Sequence, residues 1–206
     1  MSTRNRTHLR AHIAHEAARL MLEGGIQDYA LAKRKAAQQL QVVDNSHLPR
    51  NDEIEQALYA YQRLFRSEHQ AQHLSELRQA ASSAMQFLAA FRPFLVGPVL
   101  SGTADEHSTV SLHLFAEPSE EVGLFLLQHG IPHKLIERRL RLTPDEMKAF
   151  PTYRFIADSV PVELVVMPYR ARKQPPLSPV DGRPMRRANL SNLQAIMEAH
   201  SEYGAA

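Results

Sequence analysis

Residues 95–115, LVGPVLSGTADEHSTVSLHLF, decide how the chain is read. An apolar run enters a glycine-containing turn, and a polar loop carries the chain to Thr109. Val110, Leu112 and Leu114 then alternate with Ser111 and His113, the period-two pattern of a strand with one apolar face. Residues 94–100 and 110–115 therefore read as two strands joined by a glycine-containing turn.

Upstream, as far as about residue 91, the spacing is helical. Leu9, Ile13, Ala17, Leu20 and Met21 make one apolar face, ended by Gly24-Gly25. An Ala-rich stretch covers 26–40. After a break at 48–51, Asn51 is placed as an N-cap, with Asp52 and Glu53 complementing the positive helix end. Ile54, Leu58, Tyr61 and Phe65 recur at helical spacing, as do Leu74, Leu77, Ala81, Met85 and Leu88. A small antiparallel bundle is expected.

Downstream, Ser119 is expected to cap a helix through Gln128, with Gly130 past its end. Residues 131–142 read as a strand, and Thr143-Pro144-Asp145-Glu146 as the opening of a short helix with Pro at its first position. Residues 153–156 and 160–167 read as a hairpin around Ala157-Asp158-Ser159, 174–184 as a Pro-rich arm, and 189–200 as a closing helix. Helices first, then mixed strands and helices, give an α+β fold and not a doubly wound sheet. The expected parts are a helical domain (1–91), an α+β domain (92–170), and a Pro/Arg-rich arm with a C-terminal helix (171–206).

The stretch 95–167 resembles the polymerase-beta-type nucleotidyltransferase superfamily, in a two-part layout similar to that of uncharacterised bacterial proteins. In that superfamily a strand ends in Gly-Ser, and the next carries Asp-x-Asp to hold two magnesium ions. Aligned on Gly97, the serine falls on Pro98 and the two aspartates on Thr109 and Ser111. Only Glu163, in PVELVVMP, matches the third acid. Two metal ions about 3.5–4 Å apart need anionic oxygens to hold them, and neutral hydroxyls cannot neutralise a dication. The resemblance thus implies a retained scaffold and a degenerate catalytic centre, with Glu163 the one candidate catalytic residue and no metal or other cofactor. Such a protein would act as a nucleotide, nucleic-acid or protein binding module. Two alternatives stand beside it. One is an active magnesium-dependent transferase in which Glu163 converges with Asp105, Glu106 or Glu117, or with Asp105 and His113. The other is a purely structural or interaction protein.

Composition narrows the field further. With 44% apolar residues the chain is an ordinary folded protein, and with no cysteine it has neither disulfides nor thiolate chemistry. No apolar run approaches a membrane span, so a cytoplasmic protein with no membrane partner is expected. The start, MSTRNRTHLR, has the bias of a transit peptide, but the helical pattern runs on through Met21, as in an ordinary basic helix. His8, His12 and His15, and His69 and His73, share helical faces without a zinc-protease motif, and read as solvated. The net charge is only +2, yet Arg170, Arg172, Lys173, Arg183, Arg186 and Arg187 cluster against Asp181 alone. Forked guanidiniums suit phosphate or carboxylate, so this arm is the candidate surface for a nucleotide, RNA, DNA or an acidic protein. A solvated tail, or a clasp folded back onto Glu163, would use the same residues.

Overall fold

In the computed structural model, residues 3–42, 48–65 and 68–203 are described, with their side chains over 8–42, 48–61 and 71–199. The fold is α+β, an N-terminal cluster of helices followed by a mixed sheet interleaved with helices.

The N-terminal pattern forms α1 (Thr3–Gly24), α2 (Tyr29–Gln39) and α3 (Asn51–Phe65). Their apolar faces meet through Ile13, Ala17, Met21, Ala32, Ala36, Ile54 and Leu58, the alanines allowing close approach. Asn51 is not the cap expected of it. It is the first residue of α3, and the Glu53 carboxylate instead accepts the Arg50 N–H at 2.6 Å, so the helix start is satisfied from the third position. These helices, with Asp105–His107 and Pro179–Asp181, make one compact unit.

The second unit begins within α4 (Glu68–Phe87), at Ala71. The reason is the stripe Leu74, Leu77, Ala81, Met85 and Leu88, which is buried in one cluster with the sheet residues Leu95, Leu112, Leu114, Leu164 and Val166. The strands are β1 (Phe94–Val96), β2 (Val110–Phe115), β3 (Lys134–Thr143), β4 (Glu146–Ala157) and β5 (Val160–Met167), in the order β1-β2-β5-β4-β3. Only the β2–β5 pair is parallel. Between strands lie the short α5 (Pro98–Ser101) and α6 (Glu120–Gln128), and α7 (Leu190–Tyr203) closes the chain. Ser119 does flank α6, but its hydroxyl makes no cap bond and donates to Glu120 at 3.1 Å.

Two strand expectations are corrected. Residues 98–101 leave the strand because Gly97, at φ 75°, turns the chain and Pro98 starts a helical turn with its φ already set. Residues 143–146 are no helix. Pro144 and Asp145 form the two-residue turn joining β3 to β4, so β4 begins at Glu146, well ahead of Tyr153. Proline suits the second position of a β-turn as well as a helix start, and here the long ladder of β3 against β4 decides for the turn.

The β4–β5 hairpin turns at Asp158 and Ser159, both left-handed at φ 47° and 71°. A serine is strained there and glycine is not. Ser159→Gly is expected to stabilise the protein by up to about 1 kcal/mol, read as a higher urea midpoint at unchanged slope.

Candidate functional site

Strand pairing puts one row of side chains across the whole sheet. Val96 stands opposite Ser111, Ser111 opposite Glu163, Glu163 opposite Arg154, and Arg154 opposite Lys134. The neighbouring row on the same face runs Phe94, His113, Val165 and Thr152. The other face carries the large core beneath α4 and α6, while this face has only the small cluster of Phe115, Phe150, Val165 and Met167. Ser111 and Glu163 thus stand side by side on neighbouring strands. Thr109 lies in the loop one residue before β2, half-buried. Gly97 and Pro98 form the turn into α5, and Pro98 is exposed.

Glu163 is 2% exposed and is held by two arginines the sequence reading did not single out. Its Oε2 accepts from Arg154 Nε at 2.6 Å, with Arg154 Nη2 at 2.5 Å, and its Oε1 pairs with Arg138. Both arginines keep much of their length in solvent, 44% for Arg138 and 56% for Arg154. They form a cationic cover over a buried carboxylate.

A divalent ion does not fit this arrangement. Its one inward carboxylate is already neutralised twice over, and Ser111 brings no charge. The other candidate acids are elsewhere. Asp105 belongs to the helical unit and accepts the His107 N–H at 3.0 Å. Glu106 is 78% exposed beside His107. Glu117 is exposed beyond Phe115, whereas Glu163 pairs near the opposite end of β2. Among the described residues no three His, Cys, Asp or Glu side chains could hold a metal together. The side chain of His69 lies outside the described residues.

His113 is 1% exposed. Burial first, then the positive charges of Arg187 and Arg138, push its pKa down to about 3, so the ring is neutral at physiological pH. Its Nδ1 is buried without a hydrogen-bond partner among the described residues. An orphaned buried polar atom of this kind costs about 1–3 kcal/mol.

The second orphan comes from the arm. Ala188 and Leu95 exchange both backbone hydrogen bonds, at 2.8 and 3.0 Å, so the arm continues the sheet beyond β1. That register lays the Arg187 guanidinium 5.0 Å from the Phe94 ring centre and 6.0 Å from that of Phe115. Its Nη2 donates to the Arg172 carbonyl at 2.7 Å, while its Nη1 is buried with no hydrogen-bond partner among the described residues. Burial lowers the pKa of Arg187, and no acid among the described residues pairs with it. The other arm cations, Arg170, Arg172, Lys173, Arg183 and Arg186, are exposed. The arm does not clasp Glu163, whose partners come from β3 and β4.

No helix among the described residues is long and apolar enough to cross a membrane. No family model, curated protein or solved structure matches the chain.

Proposed function

We propose that the α/β unit is a nucleotidyltransferase-type scaffold that has exchanged its metal pair for arginines, and that it binds a nucleotide through its phosphates without a divalent ion. What carries the reading is Glu163. It stands opposite Ser111, where the resemblance puts metal ligands, yet it lies buried under Arg138 and Arg154. The face thus has three guanidiniums, those of Arg138, Arg154 and Arg187, against one carboxylate. Such a surplus attracts phosphate oxygens, which planar donors bind two at a time. The order of parts supports the scaffold as well. A glycine turn and one helical turn follow β1, an antiparallel strand follows them, and the acid comes from the strand parallel to it.

Glu163→Gln separates this reading from the metal-dependent alternative by the sign of its effect. In a metal site it would weaken nucleotide binding and abolish transfer. Here it removes a negative charge beside the phosphates and frees both arginines. A nucleoside triphosphate in chelator should then bind about tenfold more tightly, or about 1.4 kcal/mol. Calorimetric titration of wild type and variant, with and without magnesium, checks this. Weaker binding in the variant, or magnesium-dependent transfer from a labelled triphosphate that Glu163→Gln abolishes, refutes it.

A further inference from the structure

We propose that His113 and Arg187 form an inner seat for a single phosphoryl group, the end of the sheet face where a phosphomonoester or free phosphate is held. This rests on the reading of that face as an anion site, but not on the ligand being a nucleotide.

Four observations meet there. Phe94 pairs with His113 across β1 and β2, and Phe115 lies two residues along on the same face. The Arg187 guanidinium lies over both rings, so it is a neighbour of His113 by construction. Each of the two presents a buried polar atom with no hydrogen-bond partner among the described residues, Nδ1 on the imidazole and Nη1 on the guanidinium. Finally, Arg187 carries a half-buried positive charge with no carboxylate partner among the described residues, which calls for an anion from outside.

Phosphate answers all of these together. One oxygen can accept from Arg187 Nη1 and another from a protonated Nδ1–H of the neutral imidazole, while the anionic charge offsets the guanidinium. A histidine held neutral is suited to this role, because it donates one hydrogen bond without adding another charge. Chloride lacks the separate oxygens needed to bridge two donors set on different elements, one on β2 and one on the arm. Arg187 reaches its place through the Ala188 backbone bonds to Leu95, so the seat is built by the fold and not by a loose tail.

The test uses the full chain and inorganic phosphate, with a nucleoside monophosphate as a second arm. Imidazole ¹⁵N resonances of His113 are followed during each titration at constant ionic strength. The seat predicts a saturable shift of the His113 Nδ1 signal with phosphate, absent with chloride, and at least tenfold weaker phosphate binding in Arg187→Gln. Tighter binding of the monophosphate than of free phosphate assigns the seat to a phosphomonoester, and equal binding assigns it to free phosphate. A His113 signal that ignores millimolar phosphate means that water fills the site, and the proposal fails. It fails equally if chloride gives the same shift, or if Arg187→Gln binds phosphate as well as wild type does. Should phosphate bind while triphosphate binding ignores Glu163→Gln, this seat stands and the nucleotide reading falls.

Discussion

The double substitution Arg138→Met/Arg154→Met is expected to destabilise the α/β unit by about 3–5 kcal/mol, and adding Glu163→Met to recover most of that loss. The asymmetry comes from exposure. Glu163 is 2% exposed, whereas the arginines keep 44% and 56% of their side chains in water. Removing both cations leaves a carboxylate buried without any counter-charge, the costly half of a broken ion pair. Removing the carboxylate alone leaves guanidiniums that can turn outward and hydrate, so Glu163→Met by itself should cost far less. Methionine keeps the length of the arginine stems, so lost packing contributes little. Hydrogen exchange of β2 and β5 amides, compared across the double, single and triple variants, reads the effect where it arises. If the triple variant is no more stable than the double, Glu163 is not being held in place by these arginines.

How far this cluster could be seen in the sequence depends on which rule each residue obeys. Alternation along residues 110–115 puts Ser111 and His113 on one face, and the register of β5 against β2 then sets Ser111 beside Glu163 and His113 beside Val165. Arg154 was also within reach. A two-residue turn at Asp158-Ser159 pairs Ala157 with Val160, and counting back three steps sets Arg154 against Glu163. Taking 157–159 as the turn blurred that count by one residue, enough to turn the side chain to the other face. Arg138 was hidden by Pro144, whose fixed φ serves a helix start and a tight turn equally well. With a helix there, β4 is too short to bring β3 alongside. The burial of His113 had no local signal at all. Periodicity tells which residues share a face, not which face gets covered, and the cover here is Arg187, brought from the far arm by two backbone hydrogen bonds.

Stability should fall as the pH is lowered below about 6.5, and His113→Phe should remove part of that dependence. The ring's pKa in the folded protein is about 3, against an ordinary 6.5, with burial the largest cause and the charges of Arg187 and Arg138 behind it. Between those two values the unfolded chain takes up a proton that the folded one refuses. Unfolding is therefore favoured progressively as pH drops through this window, by up to about 1.4 kcal/mol per pH unit, while above about pH 7 the group contributes no slope. The charged groups on this face of the sheet include Arg187 from the arm, Lys134 and Arg138 from β3, Arg154 from β4 and Glu163 from β5. The informative quantity is the difference between wild type and His113→Phe in urea midpoints measured between pH 4 and pH 8. A buried neutral ring predicts that wild type binds close to one proton more on unfolding than the variant near pH 5. A solvated histidine, as the sequence pattern equally allowed, would titrate alike in both states and leave the two slopes parallel. Phosphate sharpens the contrast. By offsetting Arg187 it should raise the His113 pKa and shrink the difference, a coupling that neither a purely structural histidine nor a distant anion site would produce.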